Sequence, residues 1–448
     1  MPVHATQQIV TRFAPSPTGL LHAGNYRTAI FAYLTARHAN GTFIVRIEDT
    51  DRARSKKEYE ENILETLDWL GLEYDYLHRQ SEWVGEHEHI LRTLVARDKA
   101  YVSIERSEDG TTKELIRFRN PNKPVTFTDL IRGDITMDTT DLGDFVIAKS
   151  FTEPLFHLVV VTDDALMGVN RVIRGEDHIS NTPRQLLIYE ALGAIPPVYA
   201  HLPLVLAPDR SKLSKRRGAK ALLEYRELGF LPEALVNYLG TLGWHPGSDE
   251  EFFTKDELIQ RFDLGQVQKS GAIFDEVKLT WFNREHLLRM GEERFAEESM
   301  QYFSPTLRQA LTESNRLHAV LQLLRERIET FGDIRTFEEA GEFTYFIETP
   351  TFEAQNLTWK QDTGPEKPKK HLAYILNALE ALDAGSFTKE TVRDAVWTYA
   401  ETEGKGSVLW PFRYALTGAD RSPDPFEVAG ILGKDETCSR LRAAQKLL

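Results

Sequence analysis

Within its first 40 residues the chain passes from a β-prone run, Gln8-Ile-Val-Thr11, through a turn-rich loop, Arg12-Phe-Ala-Pro-Ser-Pro-Thr-Gly19, into a helical stretch, Tyr26-Arg-Thr-Ala-Ile-Phe-Ala-Tyr-Leu-Thr-Ala-Arg37. That order commits the start to a parallel α/β arrangement, because a helix leaving a strand packs back on the sheet and returns the chain to a parallel neighbour. Pro15, Pro17 and Gly19 set the turn geometry. A helix opening near Gly24 and Asn25 is expected to offer unpaired amides and its positive dipole end to an anion. The alternation continues with a strand over 43–47 and a helix over about 56–70. In that helix Ile63, Leu64, Leu67 and Leu70 recur at helical spacing and read as core, and Gly71 ends it.

From 84 to 152 the pattern loosens into a helix and short strands with turn signals at Ser107-Glu-Asp-Gly110 and Asn120-Pro-Asn-Lys-Pro124, which reads as an insertion. Parallel α/β resumes with the apolar run at 158–161 and a buried strand over 169–174. Thr182 and Pro183 read as the N-cap and first-turn proline of the next helix. A strand over 202–206 then delivers the chain to Ser211-Lys-Leu-Ser-Lys-Arg-Arg-Gly218. Such a basic loop suits phosphate, although a run of this kind taken alone is more often solvated surface or a general polyanion patch. Both loops follow strands, at the end of an open parallel sheet where ligands bind. Beyond 221 the chain is mainly helical. Leu372, Ile375, Leu376, Leu379 and Leu382 form a core stripe, and the polar stretch 360–370 divides the last 150 residues.

At 448 residues, 41% hydrophobic and with a net charge of −14, the chain has the balance of a soluble multidomain protein without a sticky basic surface for RNA at large. No apolar run approaches the ~18 residues of a membrane span, and the N-terminus lacks a signal-peptide layout, so a cytoplasmic location is expected. The single Cys438 leaves no cysteine-rich zinc site.

His22 at a helix start after the first strand, paired with Lys212-Leu-Ser-Lys-Arg216 after a late one, resembles the two signature motifs of class I aminoacyl-tRNA synthetases. Four further segments narrow the resemblance to the glutamyl-tRNA synthetase family. They are Arg12 through Gly19, Phe43-Ile-Val-Arg-Ile-Glu-Asp-Thr-Asp-Arg52, Val172-Ile-Arg-Gly-Glu-Asp-His178 and Asn181-Thr-Pro-Arg-Gln185. Similarity extends to Ala415-Leu-Thr-Gly418 and Gly430-Ile-Leu-Gly-Lys434, so most of the chain is covered. The fold this implies is a Rossmann-like parallel-sheet catalytic domain (1–83 and 153–221) with a small inserted α+β acceptor-end domain (84–152). A helical stem-contact domain (222–300) and two all-α anticodon-binding subdomains (301–370 and 371–448) follow.

The resemblance implies activation of L-glutamate by ATP and transfer to tRNA(Glu) by a monomer, with Mg²⁺ carried on the ATP phosphates and no zinc. Such a site needs donors and cations rather than a nucleophile. His22, Lys212 and Lys215 are the expected catalytic groups. ATP is expected against Pro15, Gly19, His22, Gly24, Asn25, His178 and Lys215. Arg12 and Arg174, whose guanidinium forks suit carboxylates, are placed at the amino-acid pocket with Ala14, Ser16, Glu48, Phe156 and Val160. Glu48 is expected to hold the substrate ammonium. Arg216, Arg217 and Arg327 are the expected tRNA contacts, Arg327 reading equally as a solvated helix arginine. One departure stands out: Phe156 occupies a position where this family usually has tyrosine, so a hydroxyl hydrogen bond to substrate is lost. Alternatives of the same ancestry are a truncated enzyme that glutamylates a modified base of tRNA(Asp) and a noncatalytic tRNA-binding or amino-acid-sensing paralogue.

Overall fold

A computed structural model describes residues 8–106, 112–213 and 220–448. The chain divides into two compact units, 1–286 and 287–448.

The first unit is built on parallel strands. β1 (Val10–Phe13), β2 (Thr42–Ile47) and β3 (Tyr76–Arg79) pair in sequence order, with Val10 opposite Thr42 and Ile44 opposite Tyr76. The crossovers are α1 (Ala23–His38) and α2 (Lys57–Trp69). Tyr26, Ile30, Phe31 and Leu34 of α1 are wholly buried against β2 residues Phe43 and Val45 and the stripe residues Ile63 and Leu67, forming the main core. α2 ends at Trp69, and Gly71 adopts φ +63, the left-handed conformation that glycine reaches without strain.

The segment after α3 (Val84–Ala96) divides its strands between two sheets. β4 (Ala100–Arg106) and β5 (Thr112–Phe118) form an antiparallel sheet with β8 (Phe145–Ser150) and β9 (Glu153–Pro154). The hairpin of β6 (Pro124–Asp129) and β7 (Gly133–Asp138) instead joins the parallel layer, where Asp129 registers opposite Tyr199.

The apolar run at 158–161 belongs to a helix, α4 (Phe156–Leu166), not to the sheet. Its β-branched valines favour a strand locally, but an element apolar all round can equally be a buried helix, and here the core covers it. β10 (Arg171–Gly175) pairs in parallel with β11 (Val198–Leu202), and the Asn170 amide donates to the Val10 carbonyl at 3.1 Å beside β1. Between them lies α5 (Thr182–Leu192). Thr182 is the first helical residue rather than the cap: the 3₁₀ turn Glu176–Asn181 runs straight into α5, and the Thr182 hydroxyl serves Arg174 instead.

The strand expected over 202–206 is two elements. β11 ends before Pro203, which has no N–H for a ladder, and β12 (Val205–Leu206) pairs with β13 (Ala272–Ile273). Three helices, α6 (Leu222–Glu227), α7 (Pro232–Thr241) and α8 (Lys255–Arg261), then pack Leu222, Leu235 and Leu258 into the main core. α9 (Glu276–Arg289) follows.

The described elements of the second unit are all helical. α10 (Glu292–Ser299), α11 (Pro305–Glu313), α12 (Leu317–Arg327), α13 (Asp333–Glu339) and α14 (Thr344–Ile347) precede α15 (Glu366–Glu380). The polar stretch 360–370 thus contains the first turn of α15. Leu372, Ile375, Leu376 and Leu379 are buried as their spacing requires, whereas Leu382 lies beyond the helix end. α16 (Lys389–Glu403), α17 (Lys405–Thr417), α18 (Pro425–Leu432) and α19 (Lys434–Leu447) complete the chain.

Candidate functional site

A cavity of about 420 Å³ opens where the loops following β1, β10 and β12 meet the first turn of α1. Its lining includes Arg12, Ala14, Pro15, Ser16, His22, Gly24, Asn25, Glu48, Phe156, Val160, Arg174, His178 and Lys212. Gly19 is not part of that lining. Lys215, Arg216 and Arg217 lie outside the described residues, and Arg327 belongs to α12 in the second unit, where it pairs with Glu342 at 2.6 Å and lies over Phe337.

The first turn of α1 closes on itself. His22 is its N-cap: Nδ1 accepts from the Gly24 amide at 3.1 Å, and Asn25 Oδ1 accepts from the His22 amide at 3.1 Å. A Cβ on Gly24 would sit 3.0 Å from His22 Cε1, so glycine lets the ring fold over the turn. The Asn25 amide donates to the His22 carbonyl at 2.9 Å. The expectation of unpaired amides at Gly24 and Asn25 is therefore corrected: the capping box uses both. It also fixes the ring chemistry, since a neutral imidazole accepting at Nδ1 carries its proton on Nε2.

Beneath Arg12 and Glu48 lies a buried charge network that sequence reading did not single out. Arg46, fully buried on β2, donates to Asp164 at 2.5 Å and to Glu48 at 3.1 Å, while Arg12 Nε donates to Asp164 at 3.1 Å. The neighbouring Asp163 accepts from His87 at 2.6 Å and Gln80 at 2.8 Å. Burial opposes the charge on Asp164, but Arg12 and Arg46 outweigh it and hold its pKa below the ordinary carboxylate value. At Glu48 burial wins over Arg46 and Arg12, and the pKa is raised. A carboxylate so poised gains from a cationic ligand.

Arg174 is held differently. It is 6% exposed and donates to His201 Nε2 at 3.1 Å, Gln185 Oε1 at 2.8 Å and Thr182 Oγ1 at 2.8 Å, with its guanidinium over the Tyr199 ring. Every one of these partners is neutral, and no carboxylate among the described residues pairs with it. Burial lowers its pKa to about 10, which leaves it fully charged near neutrality. The cavity wall thus carries a desolvated cation without a counter-ion.

His178 faces the same cavity with its pKa lowered to about 4, chiefly by burial and then by Arg174, so its ring is neutral near pH 7. Lys212 Nζ pairs with Asp177 at 3.1 Å, both groups half-exposed. Lys212 follows a tight turn in which Ala207 donates to the Ser211 carbonyl and Arg210 sits at φ +64. Arg27 also lines the cavity and was missed by sequence reading; it is 2% exposed and donates to the Pro203 carbonyl. A lone helix arginine carries no signal that it will be buried at a site.

Comparison with known proteins adds an independent line. Residues 8–110 and 104–281 match the family model described as tRNA synthetases class I (E and Q), catalytic domain, and 294–445 match an anticodon binding domain. A glutamate–tRNA ligase of Heliobacterium modesticaldum is 36% identical over 98% of this chain and 97% of its own length. One from Aquifex aeolicus is 50% identical over 62% of this chain and 66% of its own. A crystal structure of a glutamate tRNA ligase from Elizabethkingia meningosepticum in complex with its amino acid superposes with a TM-score of 0.83. It is 30% identical and covers 99% of this chain and 100% of that one.

Proposed function

This chain belongs to the glutamate–tRNA ligase family of class I tRNA synthetases, and from that premise we propose how its cavity activates glutamate and passes it to tRNA. The carrying observation is Arg174, a buried cation on the cavity wall with only neutral partners. The side-chain carboxylate of glutamate supplies the missing anion. Glutamine offers no charge there, so it leaves the guanidinium uncompensated and is rejected more strongly than size alone allows. Glu48, whose burial makes its own charge costly, takes the substrate ammonium; Arg12 stands beside it, Ser16 adds a hydroxyl, and Ala14, Phe156 and Val160 shape the remaining wall.

Bound this way, the α-carboxylate of glutamate attacks the α-phosphate of ATP and pyrophosphate leaves. Negative charge grows on the phosphates, and the groups that meet it are donors: the Nε2–H of His22, Lys212, and Lys215 on the basic loop. Pro15 and the neutral His178 border the nucleotide, Gly24 makes room for it by lacking a side chain and Asn25 turns its side-chain amide N–H to it, with Gly19 shaping the loop. Magnesium prefers oxygen ligands and retained water, which suits an ion carried on the phosphates; when bound it neutralises their charge. Asp177, the half-exposed carboxylate of the lining, would offer it oxygen once its pairing with Lys212 opens. The terminal hydroxyl of tRNA then attacks the glutamyl carbonyl and AMP leaves.

The helical unit, with Arg327, and the basic residues Arg216 and Arg217 are assigned to tRNA. The truncated relative that modifies tRNA(Asp) lacks an anticodon-binding region, and the match over 294–445 argues against that reading. The deciding experiment is aminoacylation of purified tRNAs for glutamate and glutamine side by side. Absence of glutamylation on both would overturn the assignment.

A further inference from the structure

The aim of Arg174 is set by residues that never reach the cavity. A guanidinium is a donor at every accessible pH, so His201 Nε2, 3.1 Å from Arg174 Nε, has to present a lone pair. The imidazole proton must then sit on Nδ1. That nitrogen faces Asp129 Oδ2 at 2.7 Å, and a carboxylate can only accept. Asp129 is itself immobilised: Oδ2 also takes the His201 amide at 3.0 Å, and Oδ1 takes the amides of Ile131 and Arg132 at 2.9 and 2.8 Å. Asp129 and His201 are 2% and 0% exposed, and the His201 ring stacks on Tyr199, over which Arg174 lies.

We infer that Asp129, acting through His201, is a positioning residue for glutamate selection: it fixes the tautomer that orients Arg174 while keeping its own charge off the guanidinium. A carboxylate placed directly on Arg174 would orient it equally well but would occupy the donors the substrate needs. Interposing a neutral imidazole separates orientation from neutralisation. The relay places the negative charge one ring away, where it supports the cation without competing for the ligand. This inference rests on the reading of Arg174 as the partner of the substrate carboxylate.

The test uses the full-length enzyme in steady-state aminoacylation of tRNA(Glu). In Asp129→Asn an amide N–H facing His201 Nδ1 drives the proton to Nε2, where it opposes the Arg174 donor. The glutamate KM should rise about tenfold, the size of effect seen when an outer-shell partner is lost, with ATP KM and kcat within about twofold. Discrimination against glutamine should fall in step. In a His201→Gln background, where the side-chain carbonyl can accept from Arg174 without any tautomer to fix, Asp129→Asn should add less than about twofold to the glutamate KM. Additive effects there, or equal rises in the glutamate and ATP KM values, would overturn the relay. Should Asp129→Asn fail to fold, His201→Phe carries the same test, and an unchanged glutamate KM overturns it. Arg174→Ala run alongside separates the two ideas. If it leaves the glutamate KM unchanged, the reading of Arg174 is wrong; if it raises the KM while Asp129→Asn does not, the relay alone is wrong.

Discussion

Arg12 and Arg46, from adjacent parallel strands, converge on the same oxygen of Asp164. One carboxylate on α4 thereby locks two guanidiniums behind the cavity, and only Arg12 of the pair lines it. Asp164→Asn would leave both cations dependent on Glu48 and Asp163. Breaking a buried pair from one side typically costs about 3–5 kcal/mol, and a loss of that order is expected in urea unfolding. A change under about 1 kcal/mol would mean the network contributes little to stability.

Arg174→Ala removes the unpaired cation. The glutamate KM should rise about tenfold to several hundredfold, matching one or two charge-assisted hydrogen bonds. Competition between labelled glutamate and glutamine should show flattened selectivity. Unchanged selectivity would move the specificity role to Arg12.

Much of this arrangement was legible beforehand, and the part that was not has a common cause. The loop of Arg12 to Gly19, the helix start near His22 and the strand carrying Arg174 announce themselves because turn chemistry and β-propensity act over a few residues. Arg46 stood in plain view inside Phe43-Ile-Val-Arg-Ile, and Asp163 and Asp164 followed three valines. What could not be read was that they meet, since 118 residues separate Arg46 from Asp164. The same distance problem hid Asp129 and His201. The run 158–161 does not declare its element type, because a short apolar stretch does not separate a buried strand from a buried helix by periodicity alone. The unpaired amides at Gly24 and Asn25 failed because a histidine and an asparagine three residues apart can cap a helix as well as serve a ligand.

His157 and His178 both have pKa values lowered to about 4, first by burial. An unfolded histidine titrates near 6.5, so between those values the unfolded chain binds protons that the folded chain refuses. Stability should therefore fall as pH drops from about 6.5 toward 4 and be level, for these groups, above 6.5. Urea midpoints at half-unit pH steps would show the slope. His157→Gln should make it shallower, and an identical slope would contradict the assignment.

Lys215→Ala removes one cation from those proposed to meet the growing phosphate charge. Adenylate formation should drop by about 10²–10³ in rate, while tRNA affinity, spread over many backbone contacts, stays nearly constant. Single-turnover kinetics with filter binding separates the two, and near-normal turnover would sink the catalytic role.

Ending the chain after Arg289, the last residue of α9, removes the helical unit assigned to tRNA. ATP binding should survive and charging should collapse through weakened tRNA binding. A fragment that charges tRNA(Glu) with unaltered affinity, and is as indifferent to anticodon changes as the whole chain, would reassign that unit.

The hairpin of β6 and β7 has a practical consequence for anyone recombining these enzymes. The stretch between α3 and α4 looks like a cassette, since the two helices that bound it pack against each other. Yet its middle strand is stitched to β11 at Tyr199 and delivers Asp129 to His201. A graft of that whole stretch from a relative would import a new support for Arg174 along with the outer sheet, so altered amino-acid preference in such hybrids should be sought at this seam. Crossovers placed to exchange β4, β5, β8 and β9 while retaining the native hairpin would transplant the outer sheet alone.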